Sequence, residues 1–476
     1  MQLSESFKKQ ISFFSIIFWL FLFSFEANAD FLPLKYPPLE FHPPKGERLV
    51  LPNGITLYLL EDHNLPLINI SATIQTGSFY EPADQIGLAS LTGALMRTGG
   101  AGDKTGDEID EILENLSAGI STGIGGDSGY ASLNVLTRDI NKGFDLFADV
   151  LMRPRFSEDK LEILKNQEIE IIRRKNDNPS SIAGREFQKL LYGADTPYAR
   201  ESTTETISKI KRQDCIDFYS KYFHPDAVIL GITGDFKKEE MIRKISDQFK
   251  GWEKRKESLP ALKPVSVEFK SSVNQIEKDL TQSYIRIGHL GVKQSNPDYY
   301  ALSVMNDILG GQTFSSRLFK EVRTRKGLAY SVGSALNPGN IEVGTFFAYC
   351  QTMSKNTVKA ISAIRENIKK MRETPVTPEE LQLAKEAFLN SFIFSFTTPS
   401  QIVSRQISLE YYHLPEDYLE QFRNEVSKVT AEDILRVAKK YLHPDGLTLM
   451  VVGSPDKFDQ PLSVFGPVHT LPLSTN

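Results

Sequence analysis

The chain repeats itself, and that repeat limits its possible folds more than any other feature. "KYFHPDAVILGITGDFKK" begins at Lys221 and "KYLHPDGLTLMVVGSPDK" at Lys440. Each reads as a helix end, a His-Pro-Asp turn, a β-branched strand and a glycine stop. Tyr222 and Tyr441 stand 219 residues apart. "FSEDKLE" at Phe156 and "VTPEELQ" at Val376 stand 220 apart, and each opens a long helix with a Ser/Thr N-cap and acids in the first turn. Two independent pairs at nearly one offset point to a duplicated unit. At 476 residues the chain has room for two such units and is too long for one ordinary core.

Within each half, β-branched alternating stretches mark strands: "ITLYLLE" and "LINISATIQTG" in the first, "YIRIGHLGV" and "GTFFAYCQT" in the second. Between them lie amphipathic helices such as "IDEILENL", "INKGFDLFADVLM", "TVKAISAIRENIKKMRE" and "AEDILRVAKKYL". Hairpins mixed with strand–helix alternation predict α+β, as two homologous sandwich halves. The expected boundaries are 48–250 for the first half and 271–458 for the second. The charged, Pro-containing linker 251–270 joins them, and a tail covers 459–476. His224 and His443, each before Pro-Asp at a helix-to-strand turn, read as turn residues and not as metal ligands.

Residues 1–29 read as a signal peptide. Lys8 and Lys9 precede the apolar run "ISFFSIIFWLFLFSF", and Ala27 and Ala29 occupy the small-residue positions before a cleavage point. The run is shorter than the ~20 residues of a membrane-spanning helix. Cleavage before Asp30 implies a periplasmic protein, with an uncleaved membrane anchor as the alternative. A Pro-rich leader, 30–47, follows. A net charge of −5 without a basic run excludes a nucleic-acid partner. The only cysteines, Cys215 and Cys350, have no metal-ligand spacing. One bridge or two buried thiols are both open. "TGIGGDSG" and "GGAGDKT" lack the Lys-Ser/Thr and Gly-Lys elements of a phosphate loop, and the first reads as a strand-turn region.

Several long stretches resemble the insulinase–pitrilysin family of zinc peptidases, in the branch of the mitochondrial processing peptidase and its bacterial relatives. They are "LPNGITLYLLEDHNLPLINISATIQTGSFYEP", "GLASLTGALMRTGG", "RRKNDNPSSIA" and "NPDYYALSVMNDILGGQTFSSRLFKEVRTRKGLAYSV", with the HPD-strand repeat. The resemblance covers Leu51 to Gly453. It implies an H-x-x-E-H helix in catalytic members, where two imidazoles bind zinc and the glutamate activates water. In this chain those positions are Ser90, Gly93 and Ala94. Serine is a poor zinc ligand, and Gly and Ala have no ligating side chain. Glu170, with Glu168 nearby, stands near the place of the third ligand and reads as a solvated or salt-bridged helix residue. No intrinsic catalytic residue and no metal ligand is therefore expected.

The family's second motif, R-x-x-x-G-L-x-Y, is intact as Arg323, Gly327, Leu328 and Tyr330. "SSRLFKEVRTRKG" reads as a helix with Gly327 at C′ and Tyr330 opening a strand. Arginine and tyrosine brought together across that turn supply directed donors for a substrate carbonyl. The plainer alternative makes Arg323 one charge on a solvated face and Tyr330 a core residue. By resemblance, the strand ending in "QTGSFYEP" pairs with an extended peptide by β-addition, and "GGQTFSSRL" gives a tight helix-to-helix passage.

These readings lead to a zinc-free subunit of a periplasmic heterodimeric zinc metallopeptidase. It binds unfolded peptides and offers Arg323 and Tyr330 to a homologous H-x-x-E-H partner that carries the zinc. The alternative is a scaffold or assembly protein of the same fold. An autonomous zinc peptidase is the third reading, which the missing ligands oppose.

Overall fold

The computed structural model describes residues 44–255, 259–312 and 314–473. The signal segment 1–29 and all but the end of the leader lie outside the described residues. Two six-stranded sheets carry the chain. The first contains β1 (Glu47–Val50), β2 (Thr56–Glu61), β3 (Leu67–Ile74), β4 (Gly119–Ile124), β5 (Gly129–Leu136) and β6 (Val228–Gly234), in the order β1-β2-β6-β3-β5-β4. The second contains β7 (Ser272–Glu277), β8 (Gln282–Leu290), β9 (Ala329–Asn337), β10 (Thr345–Met353), β11 (Thr448–Gly453) and β12 (Val468–Thr470), in the order β12-β7-β11-β8-β10-β9. The two orders correspond strand for strand. In each sheet a parallel pair, β2–β6 in the first and β7–β11 in the second, adjoins an antiparallel block, and the second sheet adds a further parallel pair at its edge.

The outermost strand is where the halves differ. β1 comes from the N-terminal side and pairs antiparallel with β2, whereas β12 comes from the C-terminal side and pairs parallel with β7. Residues 459–473 of the expected tail therefore build part of the second half. Leu462 is buried in its core. Asp459 accepts bonds of 2.8 and 3.2 Å from the Val358 and Lys359 amides, satisfying open donors at the start of the Thr357–Glu373 helix.

The alternation in the sequence decides which face of each sheet is dry. Ile68, Ile70, Ala72 and Ile74 of β3 point into the first core, while Asn69, Ser71 and Thr73 face the other way. Helices including Gly106–Leu116 and Ile140–Met152 cover the dry face, with Phe144, Phe147 and Phe249 fully buried among them. Thr377 forms the expected capping box with Glu380. Ser157 does not cap its helix through the side chain; its hydroxyl bonds Asp159 instead.

Each half lends one helix to the open face of the other. Pro179–Tyr192 packs Ile182, Ala183 and Phe187 against Ile276, Met450 and Val452 of the second sheet. Pro399–Tyr411 packs Val403 and Ile407 against Tyr58 and Ile229 of the first. "NPSSIA" at Asn178 and "TPSQIV" at Thr398 are 220 residues apart, so the exchange belongs to the duplication. Glu410 secures it by accepting from Arg48 (2.8 and 2.7 Å) and from the Tyr58 hydroxyl (2.5 Å). Ile182→Ala is expected to cost about 2–5 kcal/mol, through lost transfer energy and the cavity it leaves. Urea unfolding followed by circular dichroism measures it.

The His-Pro-Asp turns are structural. His224 bonds the Glu253 carbonyl through Nδ1 (3.3 Å), and His443 stacks on Phe269 at 3.7 Å, so the turns grip the linker near its two ends. His289, fully inside the second half, bonds the Leu290 carbonyl through Nδ1 and accepts the His443 amide on Nε2. Burial pushes its imidazole down to about 4, which keeps it neutral. Cys215 and Cys350 are free thiols in separate cores, pushed up by burial to about 11 and about 12.

Candidate functional site

"GLASLTGALMRTGG" forms the helix Leu88–Thr98, which lies along β4, an edge of the first sheet. Ser90 is exposed and Ala94, one turn later, is half-buried. Gly93 faces the strand. A Cβ there would stand 2.6 Å from the Ile124 amide nitrogen and 2.7 Å from the Gly123 carbonyl carbon. The Thr122 hydroxyl donates to the Gly93 carbonyl at 2.7 Å, tying helix to strand. Strand backbone thus occupies the space a glutamate would need. Glu170 points outward and pairs with Arg173. Among the described residues no group of three or more His, Cys, Asp or Glu side chains is placed to hold a metal. The side chains at this site do not fit a zinc ion.

The same helix is capped from a distance. Glu81, in "QTGSFYEP", accepts from the amides of Gly87 (3.2 Å) and Ala89 (2.6 Å) at the helix start. Burial pushes its carboxyl up to about 7, outweighing those donors and the nearby Arg200. A carboxyl raised in the folded state stabilises fully below its unfolded pKa of about 4.3, and the contribution is lost as pH rises through its folded value. Between pH 5 and 8 the protein should therefore lose about 2–3 kcal/mol from this group. Chemical unfolding of Glu81→Gln at both pH values should show that part of the slope removed.

Arg323 and Tyr330 come together at the other sheet. The chain between Phe319 and Arg325 is π-helical and ends as expected at Gly327, whose φ is +60°. The Lys326 amide bonds the Glu321 carbonyl (3.1 Å) and the Leu328 amide bonds that of Val322 (2.9 Å). β9 then starts at Ala329, so Tyr330 stands at the head of the edge strand, 76% exposed. The guanidinium carbon of Arg323 lies 5.2 Å from the Tyr330 ring centre and 4.8 Å from that of Phe319. Among the described residues no carboxylate pairs with it, although Arg325 and Lys326 both pair with Glu321 and Arg317 pairs with Glu380. Arg323 is held by aromatic faces, which leaves its N–H donors open. Tyr330 is not a core residue.

Phe319 and the exposed Phe314, whose ring meets Phe319 edge-on at 5.2 Å, extend this cluster. Neither phenylalanine belongs to the R-x-x-x-G-L-x-Y motif. The i, i+4 spacing of Phe319 and Arg323 was the available signal. A second π-helical turn, Asp307–Gly311, precedes it in "MNDILGGQTF". The Ser90/Gly93/Ala94 helix and the Arg323/Tyr330 pair thus occupy corresponding edges, β4 and β9, of the two sheets.

The strand before "QTGSFYEP" does not serve for β-addition. It is β3, paired on both sides, with β6 and with β5, so it has no free edge. The open edge on that side of the sheet belongs to β4. "TGIGGDSG" is the end of β4 and its hairpin turn into β5.

Residues 58–192 match the insulinase family, peptidase M16, and residues 209–388 match the peptidase M16 inactive domain. The chain belongs to the insulinase (peptidase M16) family. The uncharacterized zinc protease YmxG of Bacillus subtilis (strain 168) is 25% identical over 400 residues, 84% of this chain and 96% of its own length. The non-peptidase homolog YmxG of Helicobacter pylori (strain ATCC 700392 / 26695) is 24% identical over 407 residues, 83% of this chain and 91% of its own length. A crystal structure of a peptidase M16 inactive domain from Pseudomonas fluorescens aligns with a TM-score of 0.79 at 26% identity, over 88% of this chain and 99% of that one. The protein is an inactive M16-like member.

Proposed function

We propose that the chain is the zinc-free subunit of a periplasmic heterodimeric peptidase. It binds extended peptides and presents Arg323 and Tyr330 to the active site of a homologous H-x-x-E-H partner, which supplies the metal. The observation that carries this reading is the one-sided state of the two edges. At β4 the catalytic positions are Ser90, Gly93 and Ala94, with strand backbone against Gly93. At β9 an arginine without an acid partner is held between two rings beside an exposed tyrosine. A guanidinium left open in this way suits a carbonyl that gains negative charge as it is attacked.

The scaffold reading is favoured by one observation, the description of the Helicobacter relative as a non-peptidase homolog. Peptidase assays separate the two. The chain alone, the co-purified partner alone and their mixture are compared on an unfolded peptide, and only the mixture should reach full rate. A native pull-down that brings other proteins but no H-x-x-E-H subunit would support the scaffold. Stoichiometric zinc in the purified chain would contradict both.

A further inference from the structure

The duplication provides an internal control for each side chain on the open sheet faces. Ser71 on β3 lies opposite Gly231 and Ser132, and Arg286 on β8 lies opposite Met450 and Tyr349. Gly231 and Met450 are 219 residues apart, the offset of the repeat, so Ser71 and Arg286 are equivalent positions. The groove around Ser71 has a volume of about 390 Å³ and is neutral, with Asn69, Ser121, Ser132, Asn134 and Ser404 on its walls. The groove with Arg286 in its lining holds about 370 Å³, with Phe187, Tyr192 and Phe347 as walls. The fold does not require an arginine at this place, since a serine occupies it in the other half.

Arg286 is held by aromatic faces. Its guanidinium carbon lies 4.7 Å from the Phe347 ring centre and 5.5 Å from that of Tyr349. Among the described residues no carboxylate, carbonyl or hydroxyl accepts from it. Burial lowers its pKa from the ordinary arginine value, yet an arginine remains charged. The helix above it offers Gly184, whose absent Cβ would stand 3.8 Å from Nη2; the equivalent residue over the neutral groove is Ser404. Rings on the faces of a guanidinium leave its edge free, and that edge matches a carboxylate in two parallel bonds.

We infer that this groove is a carboxylate-binding subsite: Arg286 takes the carboxylate of a bound peptide, and Phe187, Tyr192 and Phe347 take the apolar or aromatic side chain beside it. The inference rests on the peptide-binding reading above. The volume lies within the range of small-ligand sites.

The test uses the full mature chain and fluorescence anisotropy of a labelled unfolded peptide ending in phenylalanine, as free acid and as amide. The acid should bind about 10–100-fold tighter, the range for a charge-assisted pair of bonds. Arg286→Gln should abolish the difference. Gly184→Val, which fills the approach while leaving the charge in place, should weaken the acid and spare the amide. An amidated peptide ending in glutamate assigns the source: regained affinity means a side-chain carboxylate is accepted, and none means the chain end alone is read. Equal binding of acid and amide by the unmutated protein, a comparison that needs no variant to fold, would overturn the subsite and leave the peptide-binding reading standing. Failure of both peptides to bind would overturn the two together.

Discussion

Arg323→Ala combined with Tyr330→Phe should lower peptide cleavage by the reconstituted pair by about 10²–10³-fold in kcat, the loss seen when a preorganised donor to a developing oxyanion is removed. The geometry explains why both changes are needed. Arg323 and Tyr330 are 5.2 Å apart in a cation–π contact, so either group alone still presents a donor at the head of β9. On the Tyr330→Phe background, Arg323→Lys should lower kcat nearly as far as Arg323→Ala. An ammonium keeps the charge but lacks the planar fork that stacks between Phe319 and Tyr330. Phe319→Leu should act through Arg323 as a positioning change, with a smaller fall in kcat and an unchanged pH profile. The double variant should keep its thermal midpoint, because Tyr330 is 76% exposed and Arg323 has no ion pair among the described residues. An unchanged cleavage rate in the double variant would remove the proposed role.

The sequence made the duplication, the α+β class and the Arg/Tyr proximity legible, because each is carried by short-range signals. The HPD turns and capping residues recur at a fixed offset, and Gly327 ends its helix in the left-handed conformation that glycine favours. What it left hidden depends on contacts between distant segments. Whether β3 has a free edge depends on β5 and β6 flanking it, and nothing within "LINISATIQTG" carries that information. The helix exchange was visible only as the "NPSSIA"/"TPSQIV" pair, and even that repeat does not say which sheet each helix covers. The strand at 468–470 has three residues and parallel pairing, too short for any periodicity to mark it. The π-helical turns shift Arg323 and its neighbours off the 3.6-residue pattern, so helical spacing alone does not place the arginine over two rings.

Restoring the zinc motif by substitution should fail, and the reason lies in one glycine. Ser90→His with Ala94→His places two imidazoles one turn apart on the accessible side of the Leu88–Thr98 helix, a pair that captures zinc weakly. The third change, Gly93→Glu, meets the strand. Even Gly93→Ala puts a methyl 2.6 Å from the Ile124 nitrogen, against backbone that cannot rotate away, and should cost about 1–3 kcal/mol. Glutamate adds the burial of a carboxylate with no cation facing it, so the loss grows further. To admit it, β4 must move outward, breaking the Thr122–Gly93 bond and disturbing its register with β5. Glu170, near the place that the family resemblance gives the third ligand, is engaged with Arg173 on the solvent side of its helix. The triple variant is therefore expected to melt well below the parent and to retain no stoichiometric zinc after dialysis, as read by calorimetry and metal analysis. A triple variant with the parental melting temperature and one tightly held zinc would show that β4 yields to the motif, and that loss of the ligands alone silenced the site.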